Sequence, residues 1–127
     1  MTVFDDMKSF MTRGGQSVNK DNQAQQQSYI KMILEETREF NEALLFEDRH
    51  QQMKEATDCL VVILGWMFSH GVDPQQIWDA VHKNNLLKVS EEVQYDANGK
   101  IQKSEASVKR KAYMLEQIKE ALSCCDS

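Results

Sequence analysis

The chain has 127 residues, of which 41% are hydrophobic and 28% charged, and its formal net charge is -5. These proportions fit a single globular domain spanning residues 1–127 and exclude an intrinsically disordered chain; the acidic balance argues against nucleic acid as a partner. One Pro and five Gly give little loop punctuation, so long helices are expected instead of many short strands.

In chain order, Val3 to Met11 reads as a short amphipathic helix carrying Val3, Phe4, Met7, Phe10 and Met11. Arg13 to Gln27 is polar and Gln-rich, with Gly14-Gly15, and reads as a loop leading into a helix. From about Asn22 to Phe46 the apolar pattern has helical period. Asp48 suits the N-cap of the next helix, which runs to about His70, with Gly71 placed to end it. Asp73 and Pro74 then suit the N-cap and first position of a third long helix reaching about Val89. Beyond that helix, Tyr95 to Ile101 holds an Asn98-Gly99 turn, which predicts a small hairpin or ordered loop near residues 93–103. A last helix is expected from about Ala106 to Leu122, with Val108, Ala112, Leu115, Ile118 and Leu122 on one stripe. The expected fold is an all-α bundle. One chain offers few helices to cover two apolar faces, so completion by a homodimer or homotetramer is expected.

Targeting features point the same way. The opening MTVFDDMKSF is acidic and has no apolar h-region, and the longest apolar run, Cys59 to Phe68, falls short of the roughly 20 residues a membrane span needs. Three Cys make no disulfide framework: Cys59 lies in the apolar run, and Cys124 and Cys125 are neighbours at the end. A cytoplasmic protein with no membrane partner is expected.

The most informative residues are acidic. Glu35-Glu36-Thr37-Arg38-Glu39 gives E-E-x-x-E on the first long helix, and Glu55-Ala56-Thr57-Asp58 gives E-x-x-D on the second. Spacing of three places both acids of a pair on one helix face. On a helical wheel, Glu36 and Glu39 fall with Met32, Ala43 and Phe46, whereas Glu35 lies on a solvent stripe with Lys31, Arg38 and Glu42. Glu55 and Asp58 share a face with Val62, Gly65 and Trp66, and beyond Asp58 that helix is apolar all round, which implies burial. No Lys or Arg is expected on those faces. Chance acidic pairs are common in a chain with 20 Asp and Glu, and most are solvated. Two pairs on consecutive helices, each beside apolar neighbours, are a different matter. Like charges about 4 Å apart at an effective dielectric near 20 repel by roughly 4 kcal/mol, and a divalent cation would relieve that. All-oxygen ligation suits a hard ion, Mg²⁺ or alternatively Mn²⁺.

This arrangement resembles the all-α nucleoside triphosphate pyrophosphohydrolases, the MazG-like and phosphoribosyl-ATP pyrophosphohydrolase-like superfamily. The resemblance implies that Glu36, Glu39, Glu55 and Asp58 hold Mg²⁺, with Glu35 an auxiliary acid. Asn85-Leu86-Leu87-Lys88 is similar to the family's later N-x-x-K, and Asp96 to Lys103 is similar to a D-x-x-G-K-x-x-K segment of one branch. That branch continues with Gly and aromatic or Pro residues, where this chain has Ser104-Glu105-Ala106-Ser107. Asn85 and Lys88 continue the face of Ile77, Trp78 and Val81, which is expected to point inward. With Lys100 and Lys103 they are the candidate substrate-binding residues.

Other chemistry is less well supported. Glu47-Asp48-Arg49-His50 is an E-x-x-H without the second copy a di-iron bundle needs, and there is no phosphate-binding or dinucleotide Gly motif. The expected function is Mg²⁺-dependent hydrolysis of (deoxy)nucleoside triphosphates to monophosphate and pyrophosphate, as nucleotide-pool cleaning. Phosphoribosyl-ATP hydrolysis, a dUTP-preferring activity and a non-catalytic helical interaction module are the alternatives. Which acid orients the attacking water stays open among Glu35, Glu36, Glu39, Glu55 and Asp58.

Overall fold

A computed structural model describes residues 1–90, 97–100 and 105–123. All regular structure among them is helical: α1 Val3–Arg13, α2 Gln23–Phe46, α3 Arg49–Phe68, α4 Pro74–Ser90 and α5 Glu105–Ser123. No helix of the described residues is long and apolar enough to cross a membrane. The chain divides into two compact units, Met1–Pro74 and Gln75–Ser127.

In the first unit, local signals set the helix ends. Thr2 and Asp5 form a capping box at the start of α1: the Asp5 amide donates to Thr2 Oγ1 and the Thr2 amide to Asp5 Oδ2. Asn22 caps α2 by accepting the Gln25 amide at 3.0 Å. Only Glu47 and Asp48 separate α2 from α3, so the two helices fold back as an antiparallel hairpin. Gln52 Nε2 donates to the carbonyls of Ala43 and Glu47 and satisfies the end of α2. Asp48 is the α3 N-cap, as its sequence position predicts, although its side chain makes no cap hydrogen bond.

α3 ends earlier than the position of Gly71 suggested. Ser69 is its C-cap, and the Ser69 hydroxyl donates back to the Gly65 carbonyl at 2.7 Å. The Gln-rich segment supplies the remaining partners. The Asn19 amide donates to Phe68 O at 2.9 Å, the Asn22 amide to Ser69 O at 3.0 Å, and Gln26 Nε2 to the same carbonyl at 3.0 Å. Gln25 is held by Ser17 through both ends of its amide and donates to Ser69 Oγ at 2.8 Å. The polar stretch is thus a fitted cap on α3.

The core of this unit joins Phe4, Met7 and Met11 of α1 to Tyr29 of α2 and Val62 and Phe68 of α3. Phe4, Met7 and Met11 follow helical spacing on one face of α1, while Val3 and Phe10 are exposed. Tyr29 packs where Gly65 leaves room. A Cβ built on Gly65 would stand 2.2 Å from the Tyr29 ring, far inside van der Waals contact. The Tyr29 hydroxyl donates to Gln16 Oε1, which satisfies its polar end. The all-round apolar α3 is not fully covered by the helices of this unit, where Leu60, Ile63 and Trp66 are exposed. α2 likewise exposes Leu34, Leu44, Leu45 and Phe46.

In the second unit, Ala80, Lys83, Asn84 and Leu87 of α4 line a small cavity of about 30 Å³ with Arg110, Tyr113, Met114 and Gln117 of α5. Of the stripe expected on α5, Val108, Ala112, Leu115 and Leu122 are exposed and Ile118 is half-buried; Ser107, Arg110, Met114, Gln117 and Ala121 are the other half-buried residues of the helix. Of the hairpin or loop expected near residues 93–103, only residues 97–100 are described. They form a turn with Gly99 at φ +79°, the left-handed geometry that Gly tolerates. The flanking positions lie outside the described residues.

Replacing Gly65 with Ala should therefore force the Tyr29 ring from its seat. The expected loss is about 1–3 kcal/mol, read as a lower urea midpoint with an unchanged slope. An unchanged midpoint would mean that the ring can move without cost.

Candidate functional site

The carboxylates lie at the α2–α3 seam, away from the core around Tyr29. Tyr29, Glu36 and Ala43 recur at seven-residue spacing along α2, and Glu55, Cys59, Val62, Gly65 and Phe68 are the buried positions of α3. Antiparallel packing brings the middle of α2 to the first half of α3. Glu36, Glu39 and Glu55 each offer an oxygen, and these oxygens lie within 4.8 Å of one another. Glu55 is only 7% exposed.

Two of these acids are incompletely satisfied. Gln51 Nε2 donates to Glu55 Oε1 at 3.0 Å, whereas Glu55 Oε2 and Glu36 Oε2 are inaccessible and have no hydrogen-bond partner. An orphaned buried carboxylate oxygen is costly, on the order of 1–3 kcal/mol or more. Burial pushes the Glu36 carboxyl above its ordinary value, and the neighbouring Glu39, Asp58 and Glu55 carboxylates push it further. The same environment raises the Cys59 thiol, through burial first and the nearby acids second. Cys59 is therefore held as a neutral thiol beside the acids, and has little nucleophilic character.

One expectation is corrected by the geometry. The faces carrying the acids are not devoid of cations: Lys54 Nζ lies 2.7 Å from Asp58 Oδ2 and 3.5 Å from Glu55 Oε1. Lys54 stands four residues before Asp58, an i,i+4 pairing that the sequence itself contains. Asp58 is half-buried and engaged with Lys54, and it does not belong to the three-glutamate cluster. Gln51, four residues before Glu55, was legible by the same spacing.

The remaining candidates occupy varied settings. Glu35 is exposed on α2 and outside the cluster, as its wheel position predicts. On α4, Asn85 and Trp78 are exposed and Lys88 is half-buried, so the expected inward face is only partly inward. The buried amide is Asn84, whose Oδ1 has no hydrogen-bond partner. Lys100 is exposed in the 97–100 turn, and Lys103 lies outside the described residues.

The donor set fits a hard divalent cation: the donors are carboxylate oxygens that converge, and two of the three residues, Glu36 and Glu55, carry a buried oxygen with no hydrogen-bond partner. An all-α fold with such acids on consecutive antiparallel helices agrees with the nucleotide pyrophosphohydrolase class that the family match gives. The chain belongs to the phosphoribosyl-ATP pyrophosphohydrolase family, whose model matches residues 10–85. The matched span contains both acidic motifs and ends at Asn85. No curated protein and no solved structure matches the chain.

The raised Glu36 value has a consequence for stability. A carboxyl whose folded value exceeds its unfolded value binds its proton more tightly when folded, so its contribution is favourable at low pH and lost as pH rises. Metal-free protein should lose stability as pH climbs from the ordinary value of 4.5 through the raised one. Glu36→Gln, which stays neutral, should flatten that slope. Thermal unfolding in chelator across pH 4–8 measures it; a slope identical in both proteins would remove Glu36 as its source.

Proposed function

We propose that the chain hydrolyses (deoxy)nucleoside triphosphates between the α- and β-phosphates, releasing a nucleoside monophosphate and pyrophosphate, with Mg²⁺ as cofactor. The observation that carries the reading is the convergence of Glu36, Glu39 and Glu55 with partnerless oxygens on a chain of this family. Glu36, Glu39 and Glu55 would hold the ion, with Asp58 completing the set once it leaves Lys54. Bound there, Mg²⁺ would neutralise phosphate charge and stabilise the departing pyrophosphate.

The chain's own residues define the rest. Cys59 is buried as a thiol and suits no covalent step. Attack by water is the corresponding reading, with one of the site's carboxylates, or Glu35 beside them in sequence, positioning it. Asn85, Lys88, Lys100 and Lys103 are proposed for the sugar and phosphates on the strength of the resemblance. Phosphoribosyl-ATP as substrate is the second reading, and the family match is the observation that favours it. Nucleotide-pool cleaning would be the role under the first reading.

We further propose that the working form contains at least two copies. Leu34 and Leu60 are exposed, and Leu45 and Phe46 are 75% and 82% exposed, an apolar surface on two neighbouring helices that a second copy would cover.

Three measurements test these statements. Phosphorus NMR of products from a panel of nucleoside triphosphates and phosphoribosyl-ATP should show pyrophosphate and a monophosphate; diphosphate plus orthophosphate would point to a γ-phosphatase instead. Glu55→Gln should reduce turnover at least a hundredfold while the metal-free protein stays as stable or gains stability, because a buried charge is removed. Wild-type turnover in that variant would take Glu55 out of the site. Light scattering should give a mass at least twice 14.7 kDa, and a monomer at micromolar concentration would refute the assembly.

A further inference from the structure

We infer that Lys54 is a built-in counterion of the acidic cluster, one that holds Asp58 aside and must be displaced when a divalent cation binds. The inference rests on the proposed metal site, but concerns a residue that neither acidic motif includes.

Four observations meet at Lys54. Its ammonium is 2.7 Å from Asp58 and 3.5 Å from Glu55, so it contacts one acid inside the glutamate cluster and one outside it. The three clustered oxygens come from Glu36, Glu39 and Glu55, and Asp58 is absent from that group. Glu55 is more than nine-tenths buried, yet its Oε2 has no partner, so the ammonium compensates this carboxylate from one side only. The Lys54 side chain is 60% exposed, so water can take over the ammonium when the acids release it.

The physical logic is competition for the same negative charge. Without metal, the ammonium lowers the repulsion among the acids and keeps Asp58 turned away. A divalent cation brings twice the charge to the same oxygens and gains most if Asp58 turns inward as well. The ammonium is then both a repelling neighbour and the partner Asp58 has to leave. Lys54 therefore stabilises the metal-free protein and weakens its metal affinity. Such a residue keeps the seam folded while leaving the ion exchangeable. It is a positioning residue, because it acts on the substrate only through Asp58 and Glu55.

Calorimetric titration of the full chain with Mn²⁺ and with Mg²⁺, alongside metal-free thermal unfolding, separates the possibilities. Lys54→Met, which keeps the stem and removes the charge, should bind the ion about threefold to tenfold more tightly and melt lower without metal; the exposure of the pair keeps the change modest. Lys54→Arg, which retains the charge, should stay within about twofold of wild type, an outcome that loss of packing would not produce. Equal or weaker binding by Lys54→Met, with wild type binding normally, overturns the counterion role and leaves the metal site intact. A wild-type chain that binds neither ion overturns both, and Glu55→Gln supplies the site control: it should weaken binding whatever Lys54 does.

Discussion

Negative charge held in the α2–α3 seam is the constraint around which the first unit is organised. Two carboxylates, Glu36 and Glu55, have inaccessible oxygens without partners, and the groups that approach them compensate only in part: Gln51 at one oxygen and Lys54 at the rim. Apolar residues in that seam would be more stable. The packing near Tyr29 and Gly65 offsets the cost, because the hairpin is held at one end by a close aromatic–glycine contact and carries its charges nearer its middle. Close packing around Tyr29 and Gly65 thus sits beside partnerless carboxylate oxygens at Glu36 and Glu55 in the same seam.

The polar segment before α2 serves the same end. The carbonyls of Phe68 and Ser69 would be orphaned at the end of α3, but Asn19, Asn22 and Gln26 donate to them. Gln25 joins Ser17 to Ser69, tying the loop to both long helices. Those bonds fix how α2 enters the hairpin, and with it the register that faces Glu36 toward Glu55. Backbone satisfaction at one end of the hairpin thus determines side-chain geometry at its middle.

The apolar surface of the single chain carries a different message. Leu34, Leu45 and Phe46 on α2 and Leu60 on α3 are exposed although their helices are rich in apolar residues. A helix that is apolar all round has more than one face to cover, and the packing of α2 and α1 on α3 covers part of it. On α5, Val108, Leu115 and Leu122 repeat the situation within the second unit.

Helical period, caps and acidic spacing are local properties, so the sequence by itself determined much. The extent of α2, the start of α3, the Asn98-Gly99 turn, the all-α class and the pairing of Glu36 with Glu39 can all be read from neighbours within four residues. Lys54 and Gln51 were equally legible as i,i+4 partners of Asp58 and Glu55. Only the tertiary structure decided which of the four acids meet. The seam joins three glutamates because their helices cross there, while Asp58 is drawn to Lys54, and no periodicity reports which of two attractions prevails. The same holds for Gly65, whose role depends on a ring 36 positions away in the chain, and for Asn84, buried where Asn85 was expected to point inward. A wheel gives the angle between side chains on one helix. The direction of the neighbouring helix, which turns that angle into burial, comes from packing of residues far apart in sequence.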